Sequence, residues 1–146
     1  MGSLVETIKN ETARRAVVDD CVQLLEAEVA SKRGISGVAI KGGFKTVKKM
    51  RPGMIPMAMN HLLDDFAAQI DPIWADCQAS GQNPRAYFTS RKSDVANALL
   101  SITDERGRKS DQKVLVKVYS KLRPTAVQHI GEAIPGLADL IVKHAS

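Results

Sequence analysis

Aromatic side chains are scarce in this sequence. There are six among 146 residues: Phe44, Phe66, Trp74, Tyr87, Phe88 and Tyr119. Proteins that read nucleic acid by stacking bases need exposed rings, so that mode is disfavoured. Cysteine is scarcer still, with Cys21 and Cys77 alone. Two cysteines build no disulfide scaffold, and no signal-peptide pattern precedes them. No apolar run approaches the ~20 residues that cross a bilayer. The dinucleotide, esterase, zinc-protease and kinase signatures are all missing. These absences lead us to expect a soluble, cytoplasmic, non-enzymatic domain spanning 1–146, with no metal or cofactor.

Acidic residues are missing from one stretch altogether. Between Ser31 and Arg51 there are seven bases and no acid. A second basic block, Arg106 to Arg123, has seven bases against Asp111 alone. The rest of the chain is net acidic, so the overall charge of +5 conceals two blocks of +7 and +6. Hydrophobic residues make up 44 % and charged ones 25 %, an ordinary globular balance.

The apolar spacing is helical almost throughout and predicts an all-α bundle of about seven helices joined by short loops. Val18, Cys21, Val22, Leu25 and Val29 share a stripe, whereas Leu4, Val5 and Ile8 lie a quarter turn away. The first helix is therefore bent or broken near Asn10 to Thr12, and Gly34 is a plausible stop. Ile55, Met59, Leu62, Phe66 and Ile70 mark the clearest amphipathic helix. Asp71-Pro72 and Asn83-Pro84 each pair a capping residue with proline at a first helical position, predicting two further helix starts. An interruption is expected around Ser90 to Ser93. Arg106 to Ser110 reads as a loop with Ser110 capping the next helix, and Val114 to Tyr119 as helix despite its β-branched residues. Pro135-Gly136 is expected to split the last segment in two.

The most distinctive segment lies between Gly34 and Gly53. Lys41, Lys45, Lys48 and Lys49 cluster on one side of a helical projection, and Ile40, Phe44 and Val47 on another. Ala39, Gly42 and Gly43 form a third side of small groups. Adjacent helical glycines cost about 1 kcal/mol each relative to alanine, which suggests a close helix contact. Gly37 and Gly42 have phosphate-loop spacing, but Gly43-Phe44 stands where lysine and a hydroxyl would be needed, so that reading fails. Lys113, Lys117 and Lys121 form a second line at i, i+4, i+8. If the two sets share a face, they make an anion-binding surface for a nucleic-acid backbone, an acidic protein or an anionic membrane.

Other candidates are weaker. His61 with Asp64 and Asp65 gives only half a metal site. The neighbouring carboxylates Asp19-Asp20 and Asp104-Glu105 diverge on a helix. Met50, Met54, Met57 and Met59 are adaptable apolar groups that suit core gaps or an irregular ligand.

Three segments carry a resemblance: GISGVAIKGGFKTVKKMRPG from Gly34, NPRAYFTSR from Asn83, and KVYSKLRPTAVQHIGEAIPGLADLIVKHA from Lys117. Together they make the chain similar to a family of small all-helical bacterial proteins of unknown function. The resemblance implies a compact bacterial cytoplasmic protein and transfers no site. Three readings remain open. The first is a binding module whose basic helices meet a polyanionic partner, with nucleic acid recognised without sequence specificity. The second is a carrier of an apolar small molecule or lipid, with a pocket lined by Met54, Met59, Phe66, Trp74 and Phe88. The third is a homodimer joined through the Ala39–Gly43 face.

Overall fold

A computed structural model describes residues 2–145, and among these there are helices and no strands. The helices are α1 (Leu4–Thr7), α2 (Glu11–Ser31), α3 (Gly34–Met50), α4 (Met54–Ser80), α5 (Pro84–Ser90), α6 (Lys92–Lys109), α7 (Lys113–Leu122) and α8 (Ala126–Ala145). A 3-10 turn, Arg123–Thr125, joins the last two. The chain is thus the all-α bundle that its periodicity predicts.

The break after α1 falls at Ile8 to Asn10, where the Asn10 side chain accepts the N–H of Ala13 and starts α2. Gly34 is not the stop of α2. It opens α3 with a φ of 76°, a left-handed conformation that turns the chain within two residues. Asp71-Pro72 starts no helix either. α4 runs straight through Pro72 for 27 residues. The capping chemistry of Asp71 is used on another helix: its carboxylate accepts the N–H groups of Leu4, at 2.5 Å, and Val5, at 3.1 Å. Asn83 does cap α5, accepting from Ala86, and the interruption falls at Arg91, between α5 and α6.

Two other boundaries differ from expectation. Residues 106–109 continue α6, because Glu105 pairs with both Arg108 and Lys109 one turn on and the basic residues suit a helix C-terminus. Ser110 ends that helix, and its hydroxyl accepts from Gln112 in the short link to α7. α8 is continuous through Pro135. The hydrogen bond that Pro135 cannot make is offset by close packing, since a Cβ at Gly136 would stand 2.6 Å from Leu24 of α2.

The buried residues fall into two groups. The larger joins α4, α5, α6 and α8 around Trp74, Phe88, Val95, Ile134 and Ala138, with the Trp74 and Phe88 rings tilted at 6.4 Å. The smaller joins Ile8, Val18, Leu63 and Ala67. α2, although 21 residues long, buries only Val18. Of the rest of its apolar stripe, Val22 packs on the smaller group, while Cys21, Leu25 and Val29 are half-buried and border a void.

Candidate functional site

That void is a cavity of about 500 Å³ walled by helices from both buried groups. α2 contributes Leu24, Leu25 and Val29; α4 contributes Met59, Leu63 and Phe66; α8 contributes Ile130, Leu137 and Leu140. α1, α3, α6 and α7 complete the wall. Native interiors are close-packed and hold few voids larger than a water molecule. Here α2 and α8 run antiparallel, tied by Lys32–Glu132 at one end and Asp20–His144 at the other. The lining extends along α8 from Ala126 to Ala145, roughly 28 Å at 1.5 Å per residue and nearly three times the width of a sphere of this volume. The cavity is elongated.

Its few polar groups are committed to one another. Lys32, only 7 % exposed, donates to Glu132 at 2.6 Å, Glu28 at 3.3 Å and the His129 carbonyl at 3.3 Å. A buried ammonium requires such partners, and its hydrogen bond holds the Glu132 carboxyl below the usual range. His129 bridges Glu132 and Ser36. At the opposite end the Asp20 carboxylate accepts from Lys143 at 2.8 Å and His144 at 2.7 Å. Along α7, the Tyr119 hydroxyl donates to Asp104 and shares a hydrogen with Thr103, while Arg123 donates to Asp104 at 2.9 Å. Burial first, then the bond to Asp104, pushes the Tyr119 phenol up. Cys21 also lines the cavity, and its thiol is raised to about 11 by burial and by Asp20, so it stays protonated at neutral pH.

Of the residues expected to line a pocket, Met59 and Phe66 do so, whereas Trp74 and Phe88 are consumed by the core and Met54 lies off the wall. Leu24 and Leu140 carry no signal in the sequence, and Leu25 and Leu137 read there only as members of apolar helix stripes. Their spacing matches that of any core stripe, so no local signal distinguishes a cavity wall from a packed face.

The basic residues stand on two helices. Lys41, Lys45, Lys48 and Lys49 of α3 and Lys113, Lys117 and Lys121 of α7 are all exposed. Lys48 lies 5.3 Å from the Phe44 ring centroid. α3 and α7 pack together at Gly43, where a Cβ would stand 2.9 Å from Val118 and 3.2 Å from Leu122. Lys41, Lys45 and Lys48 stand roughly 140–160° around α3 from Gly43. These three point away from the α7 contact, while Lys49 stands about 120° from Gly43. Gly42 does not share the contact: nothing lies within 4 Å of a Cβ there, and it is exposed. Its distance in sequence from Gly43 is one residue, but one residue turns a helix by about 100°. Ala39 is half-buried. The Gly43 side of α3 is occupied by α7 of the same chain, so of the three small residues Gly43 is taken up by an internal contact.

His61 is exposed, and the carboxylates beside it are paired elsewhere, Asp64 with Arg14 and Asp65 with Arg106. Among the described residues no three acidic, histidine or cysteine groups are placed to hold a metal. No helix among them is long and apolar enough to cross a membrane.

A family model matches residues 4–145, nearly the whole chain, and the protein belongs to that family of unknown function, DUF6918. No curated protein and no solved structure matches it.

Proposed function

Since membership of that family brings no activity with it, we propose a function from the cavity: this protein binds and carries an elongated apolar molecule of the alkyl-chain class, without transforming it. The observation that carries the reading is a cleft of about 500 Å³ lined mostly by apolar side chains and open on one side. Ligand sites typically measure about 300–1,000 Å³ and are mostly apolar. The length of the lining favours a chain over a ring system, and the committed polar groups leave the recognition to shape and apolar contact. The protonated thiol of Cys21 and the tied imidazoles of His129 and His144 favour binding over catalysis.

The test is native mass spectrometry of freshly purified protein, with organic extraction of whatever accompanies it, and titration with a fluorescent polyene fatty acid. A co-purifying chain-bearing mass, and probe fluorescence displaced by unlabelled fatty acid, is the expected result. Ala133→Phe, which projects a ring into the cavity, should abolish both. A clean apo mass together with no probe binding overturns the reading.

A further inference from the structure

The outer face of α3 does not follow the usual economy of a surface helix. Ile35 is 93 % exposed and Val38 71 % exposed, the two most exposed large apolar side chains described. By helical periodicity they share an arc of roughly 120° with Lys41, Lys45 and Lys49, all exposed. No acidic residue occurs anywhere from 31 to 51, and among the described residues none of these three lysines has an ion-pair partner. Arg33 and Arg51, also exposed, stand at the two ends. The opposite side, with Ile40, Gly43, Phe44 and Val47, faces the bundle.

We propose that this face docks α3, in plane, on an anionic lipid surface. The face has both components that such a contact uses. Lysines lie level with the negative headgroups, and apolar side chains can enter the acyl boundary. Charge complementarity selects the lipid surface over an acidic protein groove, because α3 presents a convex single helix with naked aliphatic groups rather than a shaped pocket. Nucleic acid accounts for the lysines but leaves Ile35 and Val38 in water. The docking stands on α3 alone and does not require that the cavity hold a ligand.

The experiment is co-sedimentation of the full chain with phosphatidylglycerol–phosphatidylcholine vesicles and with pure phosphatidylcholine vesicles, at low and high salt. The protein should pellet with the anionic vesicles and be released as salt screens the contact. Lys41→Glu/Lys45→Glu/Lys49→Glu should lower the partition coefficient by about a hundredfold, given the contribution of each lysine near an anionic surface. Lys113→Glu/Lys117→Glu/Lys121→Glu changes the charge identically on α7 and should lower it far less. Ile35→Ser/Val38→Ser should abolish the binding that survives at intermediate salt. All these positions are solvent-facing, and circular dichroism of each variant checks that it is folded. Equal loss in the α3 and α7 variants, or a mobility shift with duplex DNA alongside no vesicle binding, overturns the proposal. Ala133→Phe should pellet like the parent protein, so failure of the cavity reading leaves this result standing.

Discussion

Asp71, near the middle of α4, caps a helix 67 positions away: its carboxylate accepts the backbone N–H of Leu4 at 2.5 Å. The same carboxylate accepts from Val5, and Trp74 one turn later donates its indole N–H to the Gly2 carbonyl. α1 is only four residues long and holds Leu4, Thr7 and Ile8 against the cavity. A helix this short does not persist on its own propensity; Asp71, the Ser3 cap, which accepts from Glu6, and the burial of Ile8 together place that part of the wall.

Asp71→Ala should therefore cost about 1–2 kcal/mol, the range for losing an N-cap, and detach α1. Urea titration measures the cost, and limited proteolysis between residues 8 and 11 reports the detachment. Asp71→Asn retains an acceptor and should be the milder of the two. Equal behaviour of both variants and the parent contradicts the capping role.

Adjacent glycines should respond with opposite sign. Gly43→Ala puts a methyl into Val118 and should destabilise, overpacking costing about 1–3 kcal/mol. Gly42→Ala meets nothing and should stabilise by up to about 1 kcal/mol. Thermal melts of the two single variants decide this: stabilisation by Gly43→Ala as well as by Gly42→Ala would show that α3 does not meet α7 at Gly43.

Phe88 and Phe66 have the same side chain in different surroundings. Phe88 is fully buried in the core, whereas Phe66 borders the cavity. Phe88→Ala should cost about 3–5 kcal/mol, because it opens a void in tight packing. Phe66→Ala merely enlarges an existing void and should cost less than about half as much. It should also admit bulkier chains, measurable as a shift in probe-displacement preference towards branched fatty acids. Comparable destabilisation by the two truncations would mean that the region around Phe66 is packed.

Acid should loosen the α2–α8 pair. Hydrogen bonds from Lys143, and then from His144, hold the Asp20 carboxyl below its ordinary range. A carboxylate depressed in the folded state contributes stability above its unfolded pKa, about 3.9, and loses it as the pH falls through the folded value. Asp104, held down by Arg123 and then Tyr119, contributes in the same direction. The stability gap between the parent protein and Asp20→Asn should be fully open at pH 7 and close below pH about 4. A gap that stays constant down to pH 3 would assign the effect to something other than ionisation of Asp20.

Helix content was legible because stripes such as Ile55–Met59–Leu62–Phe66–Ile70 repeat with the α-helical period whatever they pack against. Punctuation was less so. Asp71-Pro72 has the chemistry of a helix start, and the chain uses the carboxylate on a helix distant in sequence. Pro135 reads as a break, and packing at Gly136 overrides it. Lys32 counts as one more base in a basic block, yet it is buried against two carboxylates from different helices. The cavity left no local mark, because Leu24 and Leu25 have the same spacing whether the next helix touches them or stands off. The docking face was half legible: the lysines were evident, while the exposure of Ile35 and Val38 depends on which side of α3 turns inward.

α3 buries only Gly37, and α7 buries no residue at all. The pair is held to the rest of the bundle by half-buried contacts, including Ile40 and Leu122 of the cavity wall. Amide exchange separates such a unit from the core, because opening free energies follow the apolar contacts that must be broken. Amides of α3 and α7 should exchange together through a partial opening, while those of α4 and α8 await global unfolding. Each such opening widens the cavity's contact with solvent without dismantling the bundle, because Ile40, Tyr119 and Leu122 belong to its wall.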